Sequence, residues 1–280
     1  MALVSKVEYG ALPAARLTAA DGAEITVALF GAHLLSWKTA DGKERMFVSR
    51  QTALDGSKPI RGGVPVIFPQ FNVRGPLLKH GFARICHWRL TDSGGDGGRS
   101  FLQFTLSEQE LPPELAAAWP HAFALQLRFA LCGDSLEMDY SVRNTGEQPF
   151  PFGLALHTYF DVGQLDATSV SGLQGARYEN HHLQTLVQQE PALHFTEKQD
   201  RIYQAPPGVT LNTADATLRL EQQGFKEWVV WNPGADDARA MADLADDEYL
   251  RFICIEPARV DQQPLAAGAE WAGRHKITVA

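Results

Sequence analysis

Two side chains combine proton-transfer chemistry with apolar surroundings: His157, within LALHTYF (Leu154 to Phe160), and Glu256, within FICIEPA (Phe252 to Ala258). In an extended strand Phe252, Cys254 and Glu256 share a face, so the carboxylate points where its neighbours are apolar. A carboxylate there is costly unless it is paired or useful, and partial burial raises its pKa toward the range of a general base. A histidine donates a proton at the same pH. A lone histidine among apolar residues is, however, more often a satisfied core residue, and a buried structural pair would have the same spacing.

Further polar groups cluster in short segments. IRGGVPVIFPQF (Ile60 to Phe71) joins Arg61 to a glycine pair, suited to close approach of backbone and ligand, and to two prolines around an apolar run, and reads as a rigid pocket wall. LLKHGFAR follows, with Lys79, His80 and Arg84. Arg61 and Arg84 could converge on an anion, since guanidinium forks match phosphate oxygens, although arginines more often pair with surface carboxylates. Asp200, in EKQDRIY, could accept hydrogen bonds from sugar hydroxyls or cap a turn. Trp231 and Tyr159 offer flat faces to a pyranose or to the core. Nine histidines invite a search for a metal site, but there is no HxH or HExxH spacing, and His181 and His182 would face opposite ways in a strand. No metal is expected. A glycosidase would need two carboxylates about 5–10 Å apart, for which Glu256 and Asp200 are formal candidates.

The elements that must position these groups are strands. Ile25, Val27 and Leu29 alternate with polar or small neighbours, as do Leu102, Phe104 and Leu106. Phe123, Leu125, Leu127, Phe129 and Leu131 line one face, and after Cys132-Gly133-Asp134 the pattern resumes at Leu136, Met138, Tyr140 and Val142, predicting a hairpin with one wet face. DSGGDGG (Asp92 to Gly98) supplies turn chemistry between two strands, and APPG (Ala205 to Gly208) a later break. Helical periodicity is confined to PPELAAAW near Pro112 and to Ala238 to Tyr249, where Met241, Leu244 and Ala245 form a small stripe. The expectation is an all-β chain, a single domain over residues 1–280 built as a large antiparallel sandwich with a few short helices.

Bulk properties agree. The chain has 280 residues and 45% hydrophobic content, enough for one large core. A net charge of −8 disfavours nucleic acid. Lys6 and Glu8 interrupt any signal-peptide core and no stretch is long enough to span a bilayer, so a cytoplasmic protein without membrane attachment is expected. Cys86, Cys132 and Cys254 show no CxxC spacing and read as small hydrophobes.

Taken in order, IRGGVPVIFPQF, KHGFAR, LALHTYFDV, SGLQGARY, EKQDRIY, VVWNP, MADLADDEYLRFICIEPARV and EWAGRHKI resemble the hexose-6-phosphate mutarotase branch of the aldose 1-epimerase family, from about Ile60 to Ile277 and more weakly before. The resemblance implies a galactose-mutarotase-like supersandwich and a cofactor-free isomerase, expected as a monomer, that acts on a hexose 6-phosphate. It further implies that His157 is the catalytic acid and Glu256 the base. Asp200, Arg61, Arg84 and His80 are implied as substrate ligands, the arginines recognising phosphate and chiefly setting binding. Lys79 departs from the family's usual glutamine, and a cation there could contact phosphate directly or alter which sugar phosphate is preferred; AAGAEW departs from the usual PGE-W run. A free-aldose 1-epimerase and a non-catalytic sugar-phosphate binder are the alternatives.

Overall fold

The computed structural model describes residues 3–96, 98–204 and 207–280. Its strands form antiparallel sheets of four, eight and nine strands. The four-stranded sheet runs in sequence order through Leu3–Tyr9, Leu12–Thr18, Glu24–Ala28 and His33–Lys38. The nine-stranded sheet contains the expected hairpin, Phe123–Cys132 against Ser135–Asn144, with Phe123 opposite Asn144 and Cys132 opposite Ser135. Phe123, Leu125, Leu127, Phe129 and Leu131 are all buried, while Gln126 is exposed on the other face. Burying a side chain of this size stabilises by about 1.5–3 kcal/mol.

The eight- and nine-stranded sheets share one core, in which Ile253, Ile255, Trp228 and Val230 from the former meet Phe129 and Val142 from the latter; Leu17 and Trp37 of the four-stranded sheet join them. The chain is therefore an all-β sandwich, as expected. The glycine-rich turn is shorter than its sequence suggests: Asp92 to Asp96 continue the Arg89–Asp96 strand and pair with Arg99–Ser107. A ladder needs only backbone groups, so glycines can extend it to the tip. Gly97, and Ala205 and Pro206 of the expected APPG break, lie outside the described residues.

The helix at Pro113–Ala118 forms as predicted, but the one expected over Ala238 to Tyr249 does not. Helix occupies Gly234–Ala240 instead, and a 3-10 turn occupies Glu248–Arg251. Between them Met241 is extended, and the buried Glu248 carboxylate accepts from Ala245 N–H (2.9 Å), Ser49 hydroxyl (2.7 Å) and Arg50 N–H (2.9 Å). Those tertiary bonds draw the backbone out of the helix and outweigh its weak apolar stripe.

The Phe252–Leu265 strand is the spine of the eight-stranded sheet. It pairs with Glu227–Asn232 on one side and with Phe150–Leu156 and Tyr159–Asp161 on the other. Its Ile253 and Ile255 face the shared core; Phe252 and Cys254 join a second apolar cluster on the opposite face, and Ala258 and Val260 a third. Glu256 falls between those two clusters.

Candidate active site

Register explains why His157 stands beside Glu256: Ala155 is opposite Ala258 and Tyr159 opposite Cys254, which puts His157 across from Glu256. Ile255 N–H donates to the Thr158 carbonyl (3.2 Å), so the backbone nitrogen two residues on, that of Pro257, faces the same neighbour. Proline has no N–H to give, and the ladder lacks a rung there. At that point the Phe150–Leu156 strand ends, His157 and Thr158 step out, and pairing resumes at Tyr159 opposite Cys254. The histidine thus lies in a strand break rather than in the strand its sequence suggests. Its N–H is satisfied by the Pro65 carbonyl at 3.0 Å.

Cross-strand register assembles the rest of the floor. Asp200 pairs with Trp231, Trp231 with Cys254, and Cys254 with Tyr159, making a row across four strands; Ile202, Val229 and Glu256 form the next. Asp200 lies within the Gln199–Gln204 strand, not ahead of it. Tyr159 stacks on His157 with ring centroids 4.9 Å apart and planes at 10°, and Trp231 meets His157 edge-on at 5.9 Å.

His157, Tyr159, Asp200, Val229, Trp231 and Glu256 line a cavity of about 310 Å³ together with Arg61, Lys79, His80, Arg84, Lys198, Asp237, Asp243 and others. All seven residues singled out in the sequence therefore meet in one place. Gly62 and Gly63, at φ 120° and 59°, carry Arg61 into it. Their freedom serves the scaffold and not a ligand: a Cβ on Gly62 would lie 2.4 Å from the Phe47 carbonyl oxygen, and one on Gly63 2.1 Å from that of Leu34.

His157 Nδ1 stands 3.3 Å from Glu256 Oε1 without the alignment of a hydrogen bond. Glu256 is wholly buried, and neither of its oxygens has a hydrogen-bond partner among the described residues. Burial, reinforced by the charge of Asp200, pushes the Glu256 carboxyl well above its usual pKa. Burial, reinforced by Arg61 and Arg84, holds His157 well below 6.5. Loss of water outweighs the attraction across the gap, so the folded chain favours the neutral form of each partner. His80, set by a positive φ of 67°, accepts from Asn72 N–H at Nδ1 (3.1 Å), and burial keeps it neutral with its proton on Nε2.

The cations differ in how they are held. Arg61 gives Nε and Nη2 to the two oxygens of Asp243 (both 3.2 Å) and Nη1 to the Tyr159 hydroxyl (3.0 Å). Tyr159 first and Asp243 second keep it protonated against burial. Lys198 is paired with Asp237 at 2.6 Å. Arg84 and Lys79 have no carboxylate partner among the described residues; Arg84 donates to the Lys79 carbonyl at 2.8 Å and its Nε is buried without a partner. Burial pulls Arg84 down to about 10, and burial with the two arginines lowers Lys79. The arrangement can exchange protons with a neutral hydroxylated ring on the floor while two unneutralised cations await an anion on the wall.

Sequence reasoning missed Asp243, Asp237, Lys198 and the closeness of Cys254 to His157 and Glu256. Cys254 was legible, being two residues before Glu256 on the same face. His157, Cys254 and Glu256 offer donor atoms all within 4.8 Å of one another, a cluster that a search for local spacings cannot find because it spans two strands. His181 and His182 lie in the turn after Arg177–Asn180 with ring centroids 3.9 Å apart, not on opposite faces of a strand.

Comparison with known proteins agrees with the geometry. A provisionally named glucose-6-phosphate 1-epimerase of Cenchrus ciliaris is 34% identical over 261 residues, covering 88% of this chain and 78% of that protein. One of Escherichia coli (strain K12), likewise provisionally named, is 37% identical over 238 residues, covering 82% and 78%. The crystal structure of a provisionally named mutarotase from Salmonella typhimurium superposes with a TM-score of 0.89 at 29% identity, covering 99% and 94%. A galactose mutarotase-like protein from Clostridium acetobutylicum shares the fold with a TM-score of 0.80 at 15% identity, covering 99% and 98%. The family profile for aldose 1-epimerase matches residues 13–278, so it includes most of the N-terminal sheet, where the motif resemblance was weak. The chain belongs to the aldose 1-epimerase family.

Proposed function

We propose that this protein, as a cytoplasmic monomer, interconverts the α and β anomers of a hexose 6-phosphate such as glucose 6-phosphate. The observation that carries the reading is the pairing of a buried, unbonded Glu256–His157 couple with two wall cations, Arg84 and Lys79, that lack carboxylate partners.

The anomeric hydroxyl lies against Glu256 and the ring oxygen against His157. Ring opening requires Glu256 as carboxylate and His157 as imidazolium, so the Glu256 proton must first pass from Oε1 to Nδ1, across 3.3 Å. The dianionic phosphate assists: seated against Arg84 and Lys79, it offsets the positive field that, after burial, depresses His157. Glu256 then takes the O1 proton while His157 gives one to the ring oxygen, and the hemiacetal opens to the aldehyde. Rotation about C1–C2 exposes the other carbonyl face, and closure with both transfers reversed gives the opposite anomer. Each positioned transfer contributes ~10²–10⁴ in rate. Asp200 accepts from a sugar hydroxyl, His80 donates to another, and Trp231 supplies an apolar face. The phosphate contacts thus act on kcat as well as on binding, which goes beyond the clamp expected from sequence.

The test follows anomer exchange of glucose 6-phosphate and of free glucose by NMR, in wild type, His157→Asn and Glu256→Gln. Rapid exchange of the phosphate ester, lost in both variants, is expected. Unchanged rates in both variants would remove the acid/base assignment, and equal acceleration of the two sugars would make the protein a free-aldose epimerase. Tight binding without any exchange would leave a sugar-phosphate binder.

A further inference from the structure

We propose that His157, Cys254 and Glu256 form a binding site for a borderline-soft divalent cation such as Zn²⁺, and that occupancy silences the proton-transfer pair. The three donors are nitrogen, sulfur and oxygen, all buried and within 4.8 Å of one another. A tetrahedral zinc with bonds of ~2.0–2.3 Å spaces its ligands by about 3.3–3.7 Å. The His157 Nδ1 to Glu256 Oε1 separation, 3.3 Å, already meets one edge of that tetrahedron. The scaffold holds the other donor from both sides: Cys254 precedes Glu256 by two residues on one strand face, and Tyr159, two residues after His157, is its register partner.

A second observation points to a ligand there. His157 Nδ1 and both Glu256 oxygens are buried without hydrogen-bond partners among the described residues, so these lone pairs converge on shared space. A thiolate and a carboxylate together balance a divalent charge, and the thiol proton and the Glu256 carboxyl proton both leave to solvent as the metal binds. A set containing sulfur and imidazole selects zinc, cobalt or copper over magnesium or calcium. His157 and Glu256 line the cavity, which gives an ion its way in. Arg61 and Arg84 act against a cation there, as they do on a protonated His157, so the site is a reversible one and not a structural centre. Metal on Nδ1 and on the carboxylate removes the lone pairs that proton transfer needs. Inhibition therefore rests on the mutarotase reading, whereas binding does not.

The test uses the full chain in a Cys132→Ser background, since Cys132 is exposed and Cys86 and Cys254 are buried. Titration with Co²⁺ is expected to give a thiolate-to-cobalt charge-transfer band with the intense visible absorption of a four-coordinate ion. Zn²⁺ displaces it, and both Cys254→Ser and His157→Asn abolish it. In parallel, Zn²⁺ slows anomer exchange reversibly to chelator, and Cys254→Ser, measured against its own zinc-free rate, needs about tenfold more metal or beyond. Absence of the band, or a band that survives in both variants, overturns the site. A band without inhibition overturns the silencing. A band in a protein that never exchanges anomers upholds the site while removing the function it was to control. If Cys254→Ser fails to fold, the His157→Asn spectrum decides.

Discussion

Two buried carboxylates lie a few residues apart, Glu248 in the turn that enters the spine strand and Glu256 within it, and the fold treats them in opposite ways. Glu248, 4% exposed, accepts from two backbone N–H groups and the Ser49 hydroxyl, with Arg50 Nη1 at 3.9 Å. Glu256, 0% exposed, accepts from nothing among the described residues. The first carboxylate ties the loop bearing Asp243 to the segment before Arg61. The second keeps its acceptors idle at the cavity wall, which destabilises the fold and, on the proposed function, leaves them for substrate. Burial alone does not mark a functional acid; burial with unused hydrogen-bonding capacity does.

Substitution at each position should bring out that contrast. Glu256→Gln is expected to lower kcat for anomer exchange by about 10²–10⁴, the worth of one positioned transfer, whereas Glu248→Gln leaves kcat within about threefold of wild type. Equal losses would show that the contrast carries no functional meaning. Glu248→Ala strands its donors and should cost roughly 3 kcal/mol, seen as a midpoint lower by about 6–12 °C in thermal melts. Glu256→Gln should move the other way, raising Tm by about 2–4 °C, the response of a chain this size to ~1 kcal/mol.

The sign of that gain depends on pH. Because the Glu256 pKa is raised on folding, the unfolded chain loses its proton above the ordinary carboxylate value while the folded chain keeps it, so wild-type stability declines as pH rises from there. The Glu256→Gln advantage should therefore shrink toward zero near pH 4, read from melts across pH. On the acid side His33 and His275, both held at about 4 by burial, make stability fall as pH drops from 6.5 toward 4 in either protein. The smallest effect is expected at Asp243→Asn, which loosens the side-on hold on Arg61 and should change KM for the sugar phosphate by about three- to tenfold with less change in kcat.

Much of the fold was legible because its signals are local. Phe123 to Val142 alternates strictly and forms the hairpin, and Phe252, Cys254 and Glu256 share the face their spacing assigns. The convergence of Arg61, Lys79, Arg84, His157, Asp200 and Glu256 was legible only through the order of several motifs, since no local spacing encodes a contact between strands. The apolar positions from Ala238 misled because Glu248 bonds across the fold to Ser49 and Arg50. Asp243 and Lys198 stood inside recognised motifs but carry ordinary charges whose partners, Arg61 and Asp237, only the folded chain reveals.

Pro257 bears on which residues of this site are free to drift in evolution. The side chains that line the pocket, His157 and Glu256 included, can be exchanged singly, since each is carried on a finished scaffold. Any other residue at position 257 turns an amide N–H toward the Leu156 carbonyl, which already accepts from the Thr158 N–H and hydroxyl, so it competes for that acceptor, at roughly 1–3 kcal/mol, or pulls the chain around His157 back into line. A residue that touches neither substrate nor proton is thus the harder one to replace, and descendants that abandon the chemistry should lose His157 or Glu256 before they lose Pro257.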